Sequence, residues 1–408
     1  MALLLRPLYS LSGTGALGRS IIYQRSRYGT VASAWHKPHG AASVAQASRR
    51  ALYMPAVVAW RAQTVQQKNA WGVVGDRDSI SGFNAYMQAA LTPHAPRFNL
   101  LGVLPGGTYS VARAVSADGG VIVGDGDSSS GDYAWRWTAL GGAAQVGAIL
   151  SSTANYSRAV SGDGKSLSGR AVIPAGSVPF RYSVLSGAVD LGSFGGTFGV
   201  ASGLSADGTV ACGSSANVGG QEHAFRYDDV GFLNDLGVLP GGTFTRATGI
   251  SSAGDVLCGT GNSGGDIYAW RWTTPGGFDV IPWSVNAVAA ICNSISADGT
   301  TIVGFSETNN DDVAWRWTAS GGSAELGVLP GGTNSYAAAV SGDGSIVVGV
   351  ANTPAGDRAF RWTLATGMIS LGIPDGTLDS AATGISADGS TIVGRSFDGV
   401  QNAAWYYR

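Results

Sequence analysis

The chain has 408 residues, a formal net charge of −2 and 13% charged residues, against roughly 25% in an average domain. Glycine takes 63 positions and cysteine three, which suits many tight turns and excludes a disulfide framework. No run approaches the ~18 apolar residues of a membrane-spanning helix. The charge is unevenly placed: residues 1–98 hold eleven Lys or Arg against two acids, and the remainder holds fourteen against twenty-five. Two modules of about +9 and −11 with different neighbours follow from that split.

Residues 1–41 read as a basic extended arm. Within it Ser20–Gln24 and Thr30–Trp35 flank an Arg-Ser-Arg-Tyr-Gly turn, which predicts a β-hairpin. Residues 42–92 predict a small helical module. Val44, Ala47, Ala51, Met54, Val58 and Ala62 recur at spacings of three or four behind Ser43, an N-cap residue type. Thr64 opens a second helix through Trp71, and a third starts near Ser81, with Trp60 and Trp71 as the core. Pro93 and Pro96 mark a linker over residues 93–98.

From residue 99 to 408 a unit of about 45 residues recurs. Four marks follow one another in each copy: Leu-Gly-x-Leu-Pro-Gly-Gly-Thr (Leu101–Thr108, Leu236–Thr243, Leu326–Thr333), an apolar-Ser-x-Asp-Gly turn, a β-branched run ending in Gly, and Ala-aromatic-Arg-aromatic (Ala134–Trp137, Ala269–Trp272, Ala314–Trp317). The turn acids are Asp118, Asp163, Asp207, Asp298, Asp343 and Asp388, with Ala253 in the fourth copy, so the spacing runs 45, 44, 46, 45, 45 and 45. Asp-Gly and Gly-Gly are turn dipeptides, and the runs between them favour strands. Four short strands per 40–45 residues is the spacing of a propeller blade. The expectation is a mainly β chain: a seven-bladed β-propeller over 99–408, preceded by the basic arm and helical module. The order of marks further predicts that Asn99–Leu104 supplies the outer strand of the last blade and latches the ring; the alternative assigns each Leu-Gly segment to the blade that follows it.

These motifs, with Ala-x-x-Val-Ser-x-Asp-Gly and the single His223-Ala224-Phe225 triplet, resemble the HAF repeat family of bacterial and phage proteins. The resemblance covers about three quarters of the chain. It implies a propeller-like module, often extracellular or virion-borne, and no catalytic residues. In the basic region, Gln46-x-x-Arg49, Trp60, Lys68-x-x-Trp71 and Ser81-Gly-Phe-Asn-x-Tyr-Met87, behind Lys37-Pro38, are similar to a small helical anchoring module of phage virion proteins.

Each candidate site in the repeats also has a structural reading. One Arg per copy, at Arg136, Arg181, Arg226, Arg271, Arg316 and Arg361 with Tyr406 in the seventh place, reads as a bonding element between blades. The turn aspartates are structural first. Asp125–Asp132 has acids at alternate positions but lacks a closing Glu, and reads as a solvated loop rather than a calcium site. Cys212, Cys258 and Cys292 read as buried apolar residues. No nucleophile elbow, metal-ligand spacing or phosphate loop stands out, so the expectation is a chain that is not an enzyme and takes no cofactor or metal.

The basic arm has three readings. A transit peptide fits its composition but not its hairpin and Trp-cored helices, and Ala2–Leu5 is too short for a secretory core. Nucleic acid would suit the cations, yet no reader motif is present. The preferred reading is a dock onto an acidic assembly through Arg6, Arg19, Arg25, Arg27, Trp35, Lys37, Arg49 and Arg50, because Arg combines charge, planar hydrogen bonding and stacking. The expected protein is a virion structural component. Capsid or tail proteins are its partners, copies of itself surround it in the particle, no membrane is involved, and a host-surface glycan meets the propeller. The alternative is a secreted or cell-surface adhesin. The loops at Asp125–Asp132, Ala171–Ser177, Ser214–Gln221 and Glu307–Asp312 depart most from the repeat and are the expected contact sites.

Overall fold

The computed structural model describes residues 98–146, 151–228, 230–282, 287–308 and 311–408, and the strand backbone of 14–17, 21–26 and 29–34. The expected helical module, residues 93–97 of the expected linker, and every candidate docking residue except Arg25 lie outside the described residues; Phe98, the last linker residue, starts a strand instead. None of the described residues is helical, and no helix among them is long and apolar enough to cross a membrane.

The chain divides into two compact units, Met1–Ala95 and Pro96–Arg408. In the first, β1 (Thr14–Leu17), β2 (Ile21–Ser26) and β3 (Gly29–Ala34) form an antiparallel sheet in that order, with Arg25 opposite Thr30.

The second unit is a succession of four-stranded antiparallel meanders. Strand β4 (Phe98–Leu100) comes first in the chain but belongs to the last sheet. Then follow β5 (Ser110–Val115), β6 (Val121–Ser128), β7 (Gly131–Thr138) and β8 (Gly142–Gln145) as one sheet, and β9 (Ala154–Val160), β10 (Ser166–Ile173), β11 (Gly176–Ser183) and β12 (Gly187–Asp190) as the next. Strands β13 (Gly195–Leu204), β14 (Ala211–Asn217), β15 (Glu222–Tyr227) and β16 (Leu233–Gly237) make another. Strands β17 (Thr245–Ile250), β18 (Val256–Ser263), β19 (Asp266–Thr273) and β20 (Gly277–Val280) join β21 (Ala289–Ile295), β22 (Thr301–Glu307), β23 (Asp312–Thr318) and β24 (Gly322–Glu325) through one parallel bridge, Ile267 to Ala289. Last come β25 (Ser335–Val340), β26 (Ile346–Ala351), β27 (Arg358–Thr363) and β28 (Gly367–Gly372), then β29 (Ala381–Ile385), β30 (Ile392–Phe397) and β31 (Asn402–Tyr407), completed by β4.

The latch is therefore formed by Phe98–Leu100, shorter than predicted, with Trp405 opposite Leu100 and Tyr407 opposite Phe98. Leu101 and Leu104 leave the strand because both are buried between the first and last sheets, beside Val393 and Ala404. The Leu-Gly mark lies at the end of the outer strand of the preceding sheet: Leu236-Gly237 closes β16, while Leu326 comes one residue after β24. Its second Leu then plugs the next junction: Leu104, Leu239 and Leu329 are each 1% exposed.

The core lies between neighbouring sheets. The cluster of Cys212 and Ala224 with Leu239, Ala247, Leu257 and Trp270 draws on two consecutive sheets. At Gly124, Gly213, Gly259, Gly304, Gly349 and Gly394 the aromatic of the fourth mark covers the strand-ending Gly. A Cβ on Gly124 would collide with Trp135 Cζ2 and Val111 O, which is why the β-branched run must end in glycine. The first strands contact one another in cyclic order from β5 through β9, β13, β17, β21, β25 and β29 back to β5. This is a β-propeller, its first strands innermost.

Candidate functional site

Each innermost strand carries a β-bulge at the same place. Pairing skips one residue between Ala112 and Ala114, and again at the matching point of the other first strands. The extra residues are Arg113, Arg158, Ser202, Thr248, Asn293, Ala338 and Thr383, and all line one cavity of about 210 Å³. A bulge re-aims a side chain away from the ladder; repeated at one height, it builds the wall of a central lumen. Val115, Leu204, Ile250, Ile295, Val340 and Ile385 line the same cavity just before the Asp-Gly turns.

Three of the uncharged bulge residues bond the next sheet. Thr248 Oγ1 donates to Cys292 O at 3.1 Å, Asn293 Nδ2 to Ala337 O at 2.7 Å and Thr383 Oγ1 to Ala112 O at 2.8 Å, the last closing the ring. The two arginines behave otherwise. Arg113 Nε donates to Asp125 Oδ2 at 2.7 Å and Arg158 Nη1 reaches the same oxygen at 3.4 Å. Asp125 Oδ1 accepts from Ser157 N at 2.7 Å and from Ser157 Oγ at 3.3 Å. The carboxylate is 2% exposed and fully occupied. Burial holds the Arg158 guanidinium below its usual range; Asp125 opposes this, while Arg113 and Arg170 add to it. Around the pair, Arg170 lies over the Tyr156 ring at 4.9 Å and Tyr156 donates to Asp132 Oδ2 at 2.9 Å. Burial and that bond raise the Tyr156 phenol.

Asp125 thus corrects the reading of Asp125–Asp132 as a solvated loop. Residues 121–128 and 131–138 are strands, and only the two residues between them form the turn. Asp127 is structural too, accepting from Thr108 N at 2.6 Å and Tyr109 N at 2.8 Å. Likewise Ala171–Ile173 and Ser214–Asn217 belong to β10 and β14, so the divergent segments are hairpin tips rather than long loops.

The repeated aspartates order the turns. Ser116 Oγ donates to Asp118 Oδ1 at 2.7 Å, the same oxygen accepts Gly120 N–H at 2.8 Å, and Ser116 Oγ accepts Val121 N–H at 2.9 Å. Gly119, at φ 71°, supplies the left-handed residue. The Ser–Asp bond recurs at Asp163, Asp207, Asp298, Asp343 and Asp388. In the fourth copy Ser251 Oγ instead reaches Asp255 Oδ1 at 2.6 Å. Sequence reading missed this residue, although an acid two positions after Ala253 was the visible signal.

The arginine ladder joins sheets. Arg136, Arg226 and Arg316 donate through Nε to the carbonyls of Gly164, Gly254 and Gly344, at 3.3, 2.9 and 3.2 Å, each in the turn of the next sheet. Arg181 reaches Gly208 O and Thr209 O at 3.1 and 2.9 Å. Tyr406 occupies the arginine place in the last sheet, and Arg408 makes the equivalent bond to Gly119 O across the seam. Arg271 Nε is buried without a partner, and no hydrogen bond of this kind is made by Arg361. Cys212, Cys258 and Cys292 are buried free thiols. His223 Nδ1 lies 2.9 Å from Asp235 Oδ2 on the outer strands. Among the described residues no group of three or more His, Cys, Asp or Glu could hold a metal.

No protein-family profile and no curated protein matches the chain. Solved structures with the fold include a prolyl endopeptidase at 13% identity and TM-score 0.53, covering 90% of this chain and 54% of that one. An oligogalacturonate lyase in complex with manganese aligns at 12% identity and TM-score 0.52, covering 78% and 94%. The β-propeller domain of the Trilobed protease from Pyrococcus furiosus aligns at 9% and 0.50, covering 74% and 96%. At such identities the likeness is one of fold. It nevertheless corrects the expectation that the chain is not an enzyme: this propeller architecture is carried by a lyase and by peptidases, so neither the fold nor a silent motif search sets the chain apart from enzymes.

Proposed function

We propose that this protein is a virion structural component, docked on a phage particle through its basic N-terminal region and displaying the propeller outward as a decoration or fibre-like binding module. The observation that carries this reading is the charge split, about +9 over residues 1–98 against about −11 beyond them. A basic segment is drawn to an acidic partner, whereas the acidic residues that follow it in the chain are not. The resemblance to HAF repeats and to a phage anchoring module points the same way.

We further read the ring as seven-bladed. Support comes from the cyclic contact of first strands, from the closing bonds Thr383 to Ala112 and Ala404 N to Ser110 Oγ at 2.9 Å, and from the Arg408 bond to Gly119. Hairpin tips such as Ser128–Gly131 then stand at the mouth opposite the Asp-Gly turns, where a host-surface glycan would meet them.

The test is cofractionation. An antibody to the propeller should find the protein sedimenting with purified particles and released by a high-salt wash, since a dock made by Arg and Lys weakens with ionic strength. Protein absent from particles, and found instead in the medium or on the cell surface, would overturn the proposal in favour of the adhesin.

A further inference from the structure

The lumen has a charge opposite to that of the unit around it. Residues 99–408 are acidic, yet the cavity wall contains two arginines and no carboxylate. The one acid beside it, Asp125, is buried behind the wall and spends both oxygens on Ser157, Arg113 and Arg158. Of the guanidinium nitrogens, Arg113 Nε and Arg158 Nη1 are the ones bonded to protein acceptors. The remaining donors belong to side chains that keep 37% and 33% of their surface, on the wall of a cavity of about 210 Å³. That leaves two adjacent planar forks and one net positive charge on the lumen wall.

We propose that the lumen binds a small oxyanion-bearing ligand, its carboxylate or phosphate group held between Arg113 and Arg158. Paired guanidiniums suit either group because each offers parallel N–H donors matched to two oxygens. Asp125 is the positioning residue, fixing both forks from behind without competing for the ligand. Thr248, Asn293 and Thr383 have already committed a donor to the neighbouring sheet, so the rest of the wall shapes the ligand and the arginines supply the attraction.

The experiment is titration calorimetry on the full chain with inorganic phosphate and, separately, glucuronate, comparing wild type with Arg158→Gln and Ala338→Glu. Ala338 faces the same lumen from another sheet and touches neither arginine's bond to Asp125, so this variant tests the charge without unpairing a buried acid. Wild type is expected to bind at least one probe, and both variants to weaken it by roughly tenfold or more. A preference for phosphate or for glucuronate tells which group the forks select. Absence of binding at ~10 mM of either probe, or wild-type affinity in folded Ala338→Glu, overturns the proposal. Either result leaves the particle proposal intact, because that one is read by sedimentation.

Discussion

Two sides of the same lumen use one backbone device differently. On the side of Thr248, Asn293 and Thr383, the bulge residue bonds a carbonyl of the next first strand and acts as a rivet between sheets. On the side of Arg113 and Arg158, the bulge residues turn to a buried acid and leave donors facing the cavity. A repeat protein fixes the backbone at every copy but leaves side chains free to diverge. Where the bulge rivets, it serves stability; where it leaves charge unmatched, it is available for binding.

The comparison can be broken first at Asp125. Asp125→Ala would leave two guanidiniums facing each other behind the wall. The expected loss is about 3 kcal/mol, the low end for a broken buried pair because both arginines open on the lumen. Urea unfolding reads it, and an unchanged midpoint would mean the pair is already solvated. The rivet side should respond less. Thr383→Val removes one bond and strands the Ala112 carbonyl, so about 1 kcal/mol is expected. Thr248→Val should cost a similar amount, and a loss matching that of Asp125→Ala would erase the distinction between the two sides.

The smallest effect belongs to the turns that both sides share. Asp163 and Asp343 titrate at about 2, the first chiefly through the Lys165 N–H and the second chiefly through the Ser341 hydroxyl. Their folded values lie below the ~3.9 of an unfolded aspartate. The stabilisation is therefore complete above about pH 4 and is lost as pH falls toward 2. Asp163→Asn, which keeps an acceptor but no charge, should flatten acid unfolding in that window by lowering stability slightly at pH 7, where solvent screens this exposed group, and leaving it unchanged near pH 2. A variant as acid-sensitive as wild type would remove the turn bond from the account.

Much of the propeller was legible beforehand because its signals are local. Asp-Gly and Gly-Gly fix turns through backbone conformation, β-branched runs fix strands, and the 45-residue period fixes which segments are equivalent. The latch was readable from the order of marks, and four of the six ladder arginines, Arg136, Arg181, Arg226 and Arg316, bond the next sheet. The error at Asp125–Asp132 was of another kind. Alternating acids look like a solvated loop until a neighbouring sheet covers one of them.

Sequence by itself determined the strands, the turns, the repeat and the sign of charge in each half of the chain. Those depend on φ/ψ preference, side-chain alternation and composition, which each short segment carries alone. Only the tertiary structure decided that Arg113 and Arg158 share a cavity. They stand 45 residues apart, on strands that meet by ring packing, and a bulge turns both inward. It also decided that Arg408 would replace the missing ladder arginine, which depends on where a side chain can reach once the backbone across the seam is in place.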